Sequence, residues 1–302
     1  MQIIESQFYK FILSQFNEND LNRLPEEFGG SRIFNEPIYG VSRGDDPLFK
    51  EFKKIVGPIH LTPLEMWNSN GLNNTDEIKR NLRIISIIFP YSEVIREASK
   101  NATVIPSDEY CVGRNQADRF MDDILKKTVK FLENNGFQAT TGMLSDVFTI
   151  KTGRKIYSNW SERHYAFAAG LGTFSLHEGF ITDIGCNVRI SSIITDAPFE
   201  VTQRKSDEPY GNCLFYSKGT CKKCVERCPG DALSEEGHDK FKCAEYGRFV
   251  RESVIERLSK YIEPKWTRFN GVLRKRQPPV GCGFCQFDVP CMDKNPMKSE
   301  NR

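Results

Sequence analysis

The residues best suited to chemistry in this sequence are its cysteines. Eight of the ten lie between residues 213 and 291, and only Cys111 and Cys186 lie earlier. The N-terminal stretch carries neither a basic region nor an uninterrupted apolar region, so no export signal is expected and a cytoplasmic location is predicted. Because thiols are kept reduced in the cytoplasm, disulfide pairing is not expected. The asymmetric distribution therefore predicts a metal-binding module toward the C-terminal end.

The spacing of these cysteines is close to that of an iron–sulfur run. The bacterial [4Fe–4S] pattern reads C-x2-C-x2-C-x3-C-P, and CKKCVERCPG at residues 221–230 supplies all but its first thiolate. Cys213 stands upstream, and Gly219 favours a turn that would bring it back beside the run. Four more cysteines follow downstream, at Cys243, Cys282, Cys285 and Cys291.

Two groups of four thiolates predict two clusters. In two-cluster ferredoxins the cysteine before the proline ligates the other cluster. Applied here, this rule assigns one cluster to Cys213, Cys221, Cys224 and Cys291, and the other to Cys228, Cys243, Cys282 and Cys285. A pair of four-cysteine zinc sites and a redox dithiol are the alternatives. The cysteine–proline junction, followed by GDAL as a short helix start with an alanine close to a cluster, favours iron.

Composition excludes some function classes. The chain of 302 residues has a formal net charge of +2, which gives no support for nucleic acid as a partner. The longest apolar run, LRIISIIFPY from Leu82, is too short to cross a membrane. The basic run KWTRFNGVLRKR at residues 265–276 is either a solvated connector or a contact for an anionic partner, such as RNA or an acidic electron donor.

Before residue 213 the pattern alternates between helices and strands. Helical spacing of apolar residues predicts a packed helix at the N-terminus and another from about Ala117 to Gly136. LRIISIIFPY and NVRISSIITD (187–196) have the β-branched content of buried strands. Together they predict an α/β (α+β) domain with a mixed sheet at residues 1–205, followed by a two-cluster domain at 206–302. No glycine-rich dinucleotide or phosphate-binding motif is present.

A segment rich in small residues follows residue 160. A helix beginning near Ser161 would carry Arg163 and His164 in its first turn, then alanines, then Gly170 and Gly172. Small residues let the backbone approach either a flat cofactor or a neighbouring helix, and both interpretations stay open. His164 is likewise either a hydrogen-bonded core histidine or an acid or ligand.

The motifs AAGLGTFSLHEGFIT and ISSIITD, together with the order of the eight cysteines, resemble the superfamily of epoxyqueuosine reductases and reductive dehalogenases. That resemblance spans roughly residues 80–295. It implies a nitroreductase-like corrinoid-binding domain joined to a two-cluster ferredoxin-like module, with electrons passing from the clusters to cobalamin. SNWSERH and CGFCQ…PC are similar to short epoxyqueuosine-reductase-like 4Fe–4S paralogues.

The chain also departs from this pattern. Where epoxyqueuosine reductases resemble Y-A-x-G-x-D-Y-H, the sequence reads YCVGRNQA, which keeps Tyr110 and Gly113 but replaces the acid, tyrosine and histidine. A family aspartate implicated in proton delivery would fall near Ile156, and GLGWIGKN is replaced by GLGTFSLH. No counterpart is expected of the helical extension that helps some members hold tRNA. The resemblance therefore implies a relative that is not itself an epoxyqueuosine reductase.

By the same resemblance, Tyr110 and His164 are the candidates for proton delivery. The residues implied to bind the cofactor are Arg114, Asn115, Arg163, Gly170, Gly172, Thr173, Phe174 and Ser175. The first hypothesis is a cobalamin-dependent reductase of an unidentified small substrate. The second is an electron carrier or activase for a partner corrinoid protein, and the third is a relative that uses a flavin or no cofactor. A ferredoxin or flavodoxin is the expected low-potential electron donor.

Overall fold

The computed structural model describes residues 2–298. Its α-helices are α1 Gln2–Glu18, α2 Leu48–Ile55, α3 Pro63–Ser69, α4 Asp76–Asn81, α5 Glu93–Ala98, α6 Asp108–Asn134, α7 Glu162–Ala168, α8 Leu214–Lys218, α9 Lys223–Glu226 and α10 Lys240–Leu258. Its strands are β1 Ile38–Arg43, β2 Arg83–Pro90, β3 Ala139–Thr140, β4 Ile150–Lys151, β5 Tyr157–Ser158, β6 Gly172–Phe174, β7 Phe180–Thr182, β8 Val188–Thr195, β9 Leu233–Ser234, β10 Gly237–His238, β11 Lys265–Phe269 and β12 Val272–Arg276. Short 3-10 helices lie at Asp20–Asn22, Glu26–Phe28 and Phe284–Gln286.

The central sheet has the strand order β1-β2-β8-β3 and is covered on both faces. Ile85 and Ile87 of β2 pack with α1 and α6, whereas Ile84 and Ile88 pack with α2, α3 and α7. Successive residues of a strand point to opposite faces, which is why this strand carries apolar residues on both faces. The buried strands predicted from LRIISIIFPY and NVRISSIITD are confirmed.

The mixed sheet predicted for this domain is wrong for the central sheet. All of its strand pairs are antiparallel. The alternation of helices and strands did not fix strand direction, because each long connection can enter the sheet from either end. A parallel pairing occurs in the separate sheet β12-β11-β4-β5, between Phe269 and Ile150.

The predicted helices have identifiable ends. The hydroxyl of Ser107 accepts a hydrogen bond from the Tyr110 N–H and caps α6. The helix therefore begins at Asp108, nine residues before the start predicted at Ala117. Gly136 has φ of +85° and follows the last turn of α6 as predicted. The N-terminal helix is confirmed, with Phe8 and Ile12 in the core. Within residues 2–298, no helix is both long and apolar enough to span a bilayer.

The cysteine-bearing part packs continuously onto the α/β part. Val250 and Leu258 of α10 belong to the same apolar core as Phe8. The basic run at 265–276 forms the β11–β12 hairpin, whose first strand pairs with β4. The prediction of a helix at GDAL is wrong, since these residues form a turn that leads into β9. Asp231, in this turn, has φ of +47°. The domain boundary at residue 205 stays a prediction.

Candidate metal centres

A first set of four cysteines surrounds one cavity. Cys213 precedes α8, and the left-handed Gly219, with φ of +68°, turns the chain back toward Cys221 and Cys224. Cys291 reaches the same cavity from the C-terminal loop. The space between the protein atoms here is about 340 Å³, including its opening to solvent.

A second set of four cysteines surrounds another cavity, of about 380 Å³ counted the same way. Cys228 enters it just after α9, Cys243 enters from α10, and Cys282 and Cys285 lie around the last 3-10 helix. Ala232 also lines this cavity, and its N–H donates to the Cys228 sulfur at 3.3 Å. The alanine of GDAL is therefore close to the cysteines although no helix forms there.

The two sets are interleaved along the chain. Cys228 lies in a different cavity from Cys224, and Cys291 lies in a different cavity from Cys285. Burial, followed by the surrounding cysteines, raises the pKa of Cys285 well above its ordinary value. Cys224 of the first set is among these cysteines, which indicates that the two sets lie close together. The structure thus brings together the two groups of cysteines that the ferredoxin rule selects. Ligation of a cluster by each group stays a prediction.

The donor chemistry of both cavities fits iron–sulfur clusters. Burial, followed by the nearby thiolates, raises the pKa of Cys224 and Cys282 to about 12. Four sulfurs in one buried cavity repel one another as thiolates, so a cationic centre must neutralise them if they are to ionise together. Zinc meets the same electrostatic demand, and the choice between the metals rests on the sequence pattern.

A histidine and a ninth cysteine lie beside the first set. One donor atom each of His177, Cys186 and Cys291 lies within 4.8 Å of the other two. The sulfurs of Cys186 and Cys291 are 3.7 Å apart. The pKa of Cys291 is lowered to about 5, because Cys186 and then His177 stabilise its thiolate against the cost of burial. Neither residue was predicted as part of the site.

Tyr110 lies beside the second set. A β-carbon added to Gly283 would lie 2.4 Å from the Tyr110 hydroxyl oxygen. The rings of Tyr110 and Phe287 pack edge-to-face with their centroids 4.9 Å apart. Burial raises the pKa of Tyr110 well above its ordinary value. Cys111 is buried next to it and is not among the cavity-lining cysteines. Tyr110 is thus placed near the candidate metal centre.

Arg114 is engaged within the protein. Its guanidinium pairs with Asp118 at 2.7 Å, and Arg189 pairs with the same carboxylate at 2.9 Å. The two arginines outweigh burial and hold the pKa of Asp118 at about 2. Asn115 exchanges hydrogen bonds with the backbone of Glu263, at 2.9 Å in each direction. Both side chains connect α6 to its neighbours.

His164 and Tyr110 are not brought together. His164 lies between Phe52 and Phe174 on the face of the sheet opposite α6, and its Nδ1 is 2.8 Å from the Ser161 hydroxyl. Burial and then Arg163 lower the pKa of His164 to about 3. These contacts match the alternative of a hydrogen-bonded core histidine. Arg163 donates to the backbone oxygen of Glu178.

The glycine segment is in contact with protein. A β-carbon at Gly172 would lie 2.3 Å from the Ile181 oxygen, and one at Gly170 would lie 3.0 Å from Arg204. The Thr173 hydroxyl accepts from the Asn212 N–H, and the Ser175 hydroxyl donates to the Gly179 oxygen. Phe174 packs on His164 and Phe180. The residues that were expected to hold a corrinoid thus all contact other parts of the protein, and their role in binding a cofactor stays a prediction.

Two further residues near the cysteine cavities were missed by sequence reasoning. His238 lines the second cavity, where a hydrogen bond with Cys243 and then one with Glu178 raise its pKa to about 9. Arg227 donates to the Phe287 oxygen and to the backbone of Lys100 and Ala102. Arg227 thereby connects the cysteine run to the loop after the last 3-10 helix and to the segment between α5 and α6. A lone histidine or arginine carries no spacing signal.

No family model and no curated protein matches the chain. Similar solved structures include epoxyqueuosine reductase from Bacillus subtilis, at 16% identity and a TM-score of 0.42, covering 97% of this chain and 66% of that one. Another is epoxyqueuosine reductase with a tRNA stem loop, at 16% identity and a TM-score of 0.44, covering 98% and 70%. A third is the reductive dehalogenase NpRdhA with 3-bromo-4-hydroxybenzoic acid, at 14% identity and a TM-score of 0.48, covering 86% and 30%. The chain thus spans about two thirds of the reductases it matches.

Proposed function

We propose that this chain is an iron–sulfur electron-transfer protein with two [4Fe–4S] clusters. The observation that carries the proposal is the presence of two neighbouring cavities, each lined by four cysteines. Cys213, Cys221, Cys224 and Cys291 hold the first cluster, and Cys228, Cys243, Cys282 and Cys285 hold the second. When bound, each cluster supplies one-electron chemistry at a potential set by its surroundings.

Electrons enter at the first cluster from a low-potential donor such as a ferredoxin or flavodoxin. A surface groove of about 1080 Å³, counting its open part, shares Cys221 with the first cavity. Lys100, Lys222, Lys223 and Lys294 line it together with three carboxylates. The groove is a route from solvent to a cluster ligand.

The electron carrier or activase is favoured over a cobalamin-dependent reductase. The groups predicted to bind a corrinoid bond to other parts of the chain, as Arg114 does with Asp118 and Asn115 with Glu263. His164, one of the two proton-delivery candidates, lies on the far side of the sheet from Tyr110. A partner corrinoid protein or another redox protein is therefore the proposed acceptor of the electrons.

The test is a reductive titration of the anaerobically purified chain, with and without added cobalamin and flavin. Uptake of about two electrons per chain, one for each cluster, is expected. The visible spectrum should then be independent of either cofactor after desalting. Retention of stoichiometric cobalamin would overturn the carrier proposal and restore the reductase. Absence of redox-active iron would overturn both.

A further inference from the structure

The Cys291 sulfur has two buried neighbours outside the four proposed ligands of its cluster. The Cys186 sulfur lies 3.7 Å away, and a ring nitrogen of His177 lies within 4.8 Å of both sulfurs. Cys186 is 1% exposed and His177 is 5% exposed. Water therefore does not compete for contact with Cys291 on this side.

The orientation of His177 is fixed by Gly179. The N–H of Gly179 donates to Nδ1 of His177 at 3.2 Å, so the proton of the neutral ring is on Nε2. Nε2 is buried and has no hydrogen-bond partner of normal geometry, while the ring lines the first cavity with Cys291. A β-carbon at Gly179 would lie 2.2 Å from the ring, so only glycine leaves room for this placement. The ring that lines the first cavity thus carries a buried N–H donor without a partner.

Cys186 is positioned by the backbone. Its N–H donates to the Cys291 oxygen at 2.7 Å, and the next N–H, of Asn187, donates to the Met292 oxygen at 3.1 Å. Gly185, with φ of +91°, lies against the same segment, where a β-carbon would be 2.3 Å from the Met292 oxygen. This pairing fixes the two sulfurs side by side.

We propose that His177 and Cys186 donate an N–H and an S–H hydrogen bond to the Cys291 sulfur and thereby raise the reduction potential of the first cluster. The inference rests on the proposed function. Reduction adds negative charge to the cluster and its sulfurs, so a donor at a ligand sulfur stabilises the reduced form more than the oxidised form. His177 and Cys186 are positioning residues in this account, because they act through Cys291.

The second set offers a matched control. His238 and Cys243 both line the second cavity, so that set also has one imidazole beside its cysteines. Replacing His238 removes a comparable ring at the other cluster. It should leave the potential of the first cluster unchanged.

The experiment is a redox titration of the full chain, followed by electron paramagnetic resonance under anaerobic conditions. The signal altered by Cys291→Ala identifies the first cluster. His177→Phe keeps a ring without a donor. The equilibrium constant for reducing its first cluster should fall by about tenfold, which lowers the midpoint potential by 59 mV for one electron. Cys186→Ala should lower the same midpoint, whereas Cys186→Ser keeps a donor and should stay near wild type. His238→Phe should shift only the other signal.

Unchanged first-cluster midpoints in His177→Phe and Cys186→Ala, with full iron content, would overturn the inference and leave the proposed function standing. If His177→Phe lost iron, the comparison of Cys186→Ala with Cys186→Ser would decide instead, since equal midpoints in that pair contradict a donor role. A wild-type chain without iron would refute the proposed function itself. The two failures are therefore distinguishable.

Discussion

Cys221 and Cys291 line the same cavity, although all four cysteines of the second set lie between them in the sequence, together with α10 and the β11–β12 hairpin. Cys228, only four positions after Cys224, lines the other cavity. Pro229 follows Cys228 at once, and the chain turns there toward β9. The chain therefore crosses between the two cavities twice.

This crossing predicts which cysteine variants damage the same cluster. Cys291→Ala and Cys221→Ala should alter one signal in electron paramagnetic resonance of the reduced protein, because both remove a thiolate from the first cavity. Cys228→Ala and Cys282→Ala should alter the other. A Cys291→Ala spectrum that matches Cys282→Ala would refute the assignment.

Gly179→Ala should destabilise the protein by about 1–3 kcal/mol, the usual cost of inserting a methyl group into a packed site. The new β-carbon would meet the His177 ring at 2.2 Å, and the buried ring has little room to move. Gly247→Ala in α10 is the matched control, since no atom lies within 4 Å of a β-carbon there and alanine favours the helix. Thermal melting of both variants gives the comparison. Equal melting temperatures of the two variants would mean that the lack of a side chain at Gly179 is not required for the placement of the His177 ring.

Asp118→Asn should cost about 3–5 kcal/mol, because it leaves Arg114 and Arg189 without their shared counter-charge. The folded-state pKa of Asp118, at about 2, lies below its ordinary value of 3.8. Its contribution to stability is therefore present above about pH 4 and is lost as the pH falls toward 2. Glu51→Gln, which breaks the exposed pair with Lys54, should change stability by less than about 1 kcal/mol. A wild-type melting temperature in Asp118→Asn would contradict this account.

Glu162 should give the folded state a pH dependence of stability opposite in sign to that of Asp118, and Glu162→Gln should remove it. The carboxyl oxygens of Glu162 are inaccessible to water and lack hydrogen bonds of normal geometry, although Ser192 and Trp160 lie beside them. Burial raises the pKa of Glu162 to about 8, so ionisation weakens the folded state as the pH rises from about 4.5 toward 8. Relative to wild type, Glu162→Gln should gain melting temperature between pH 6 and pH 8, while the exposed Glu256→Gln should not. Parallel curves for wild type and Glu162→Gln would contradict the prediction.

The sequence was most informative where chemistry depends on spacing. The interval between Cys221, Cys224 and Cys228, followed by proline, is a local pattern, and the strand at Arg83–Pro90 follows from its β-branched residues. Strand direction in the central sheet was not predictable, because it depends on long connections. The turn at GDAL was misjudged because contacts with Cys228 and β10 override a helical start.

The candidate site was only partly predictable for a related reason. His177 meets Cys291 through the fold alone, and nothing in their separation along the chain signals a contact. Tyr110 and His164 were both candidates for proton delivery because each carries a transferable proton, yet they lie on opposite faces of the sheet. Glycines at Gly170 and Gly172 indicated a close approach correctly, but the approaching groups belong to the protein.

The central claim is that eight cysteines hold two [4Fe–4S] clusters, and metal and sulfide analysis of the anaerobically purified full chain tests it most directly. About eight iron and eight acid-labile sulfide per chain are expected. The Cys221→Ala and Cys282→Ala variants should each lose up to half of both. Stoichiometric zinc without sulfide in the wild-type protein would contradict the account.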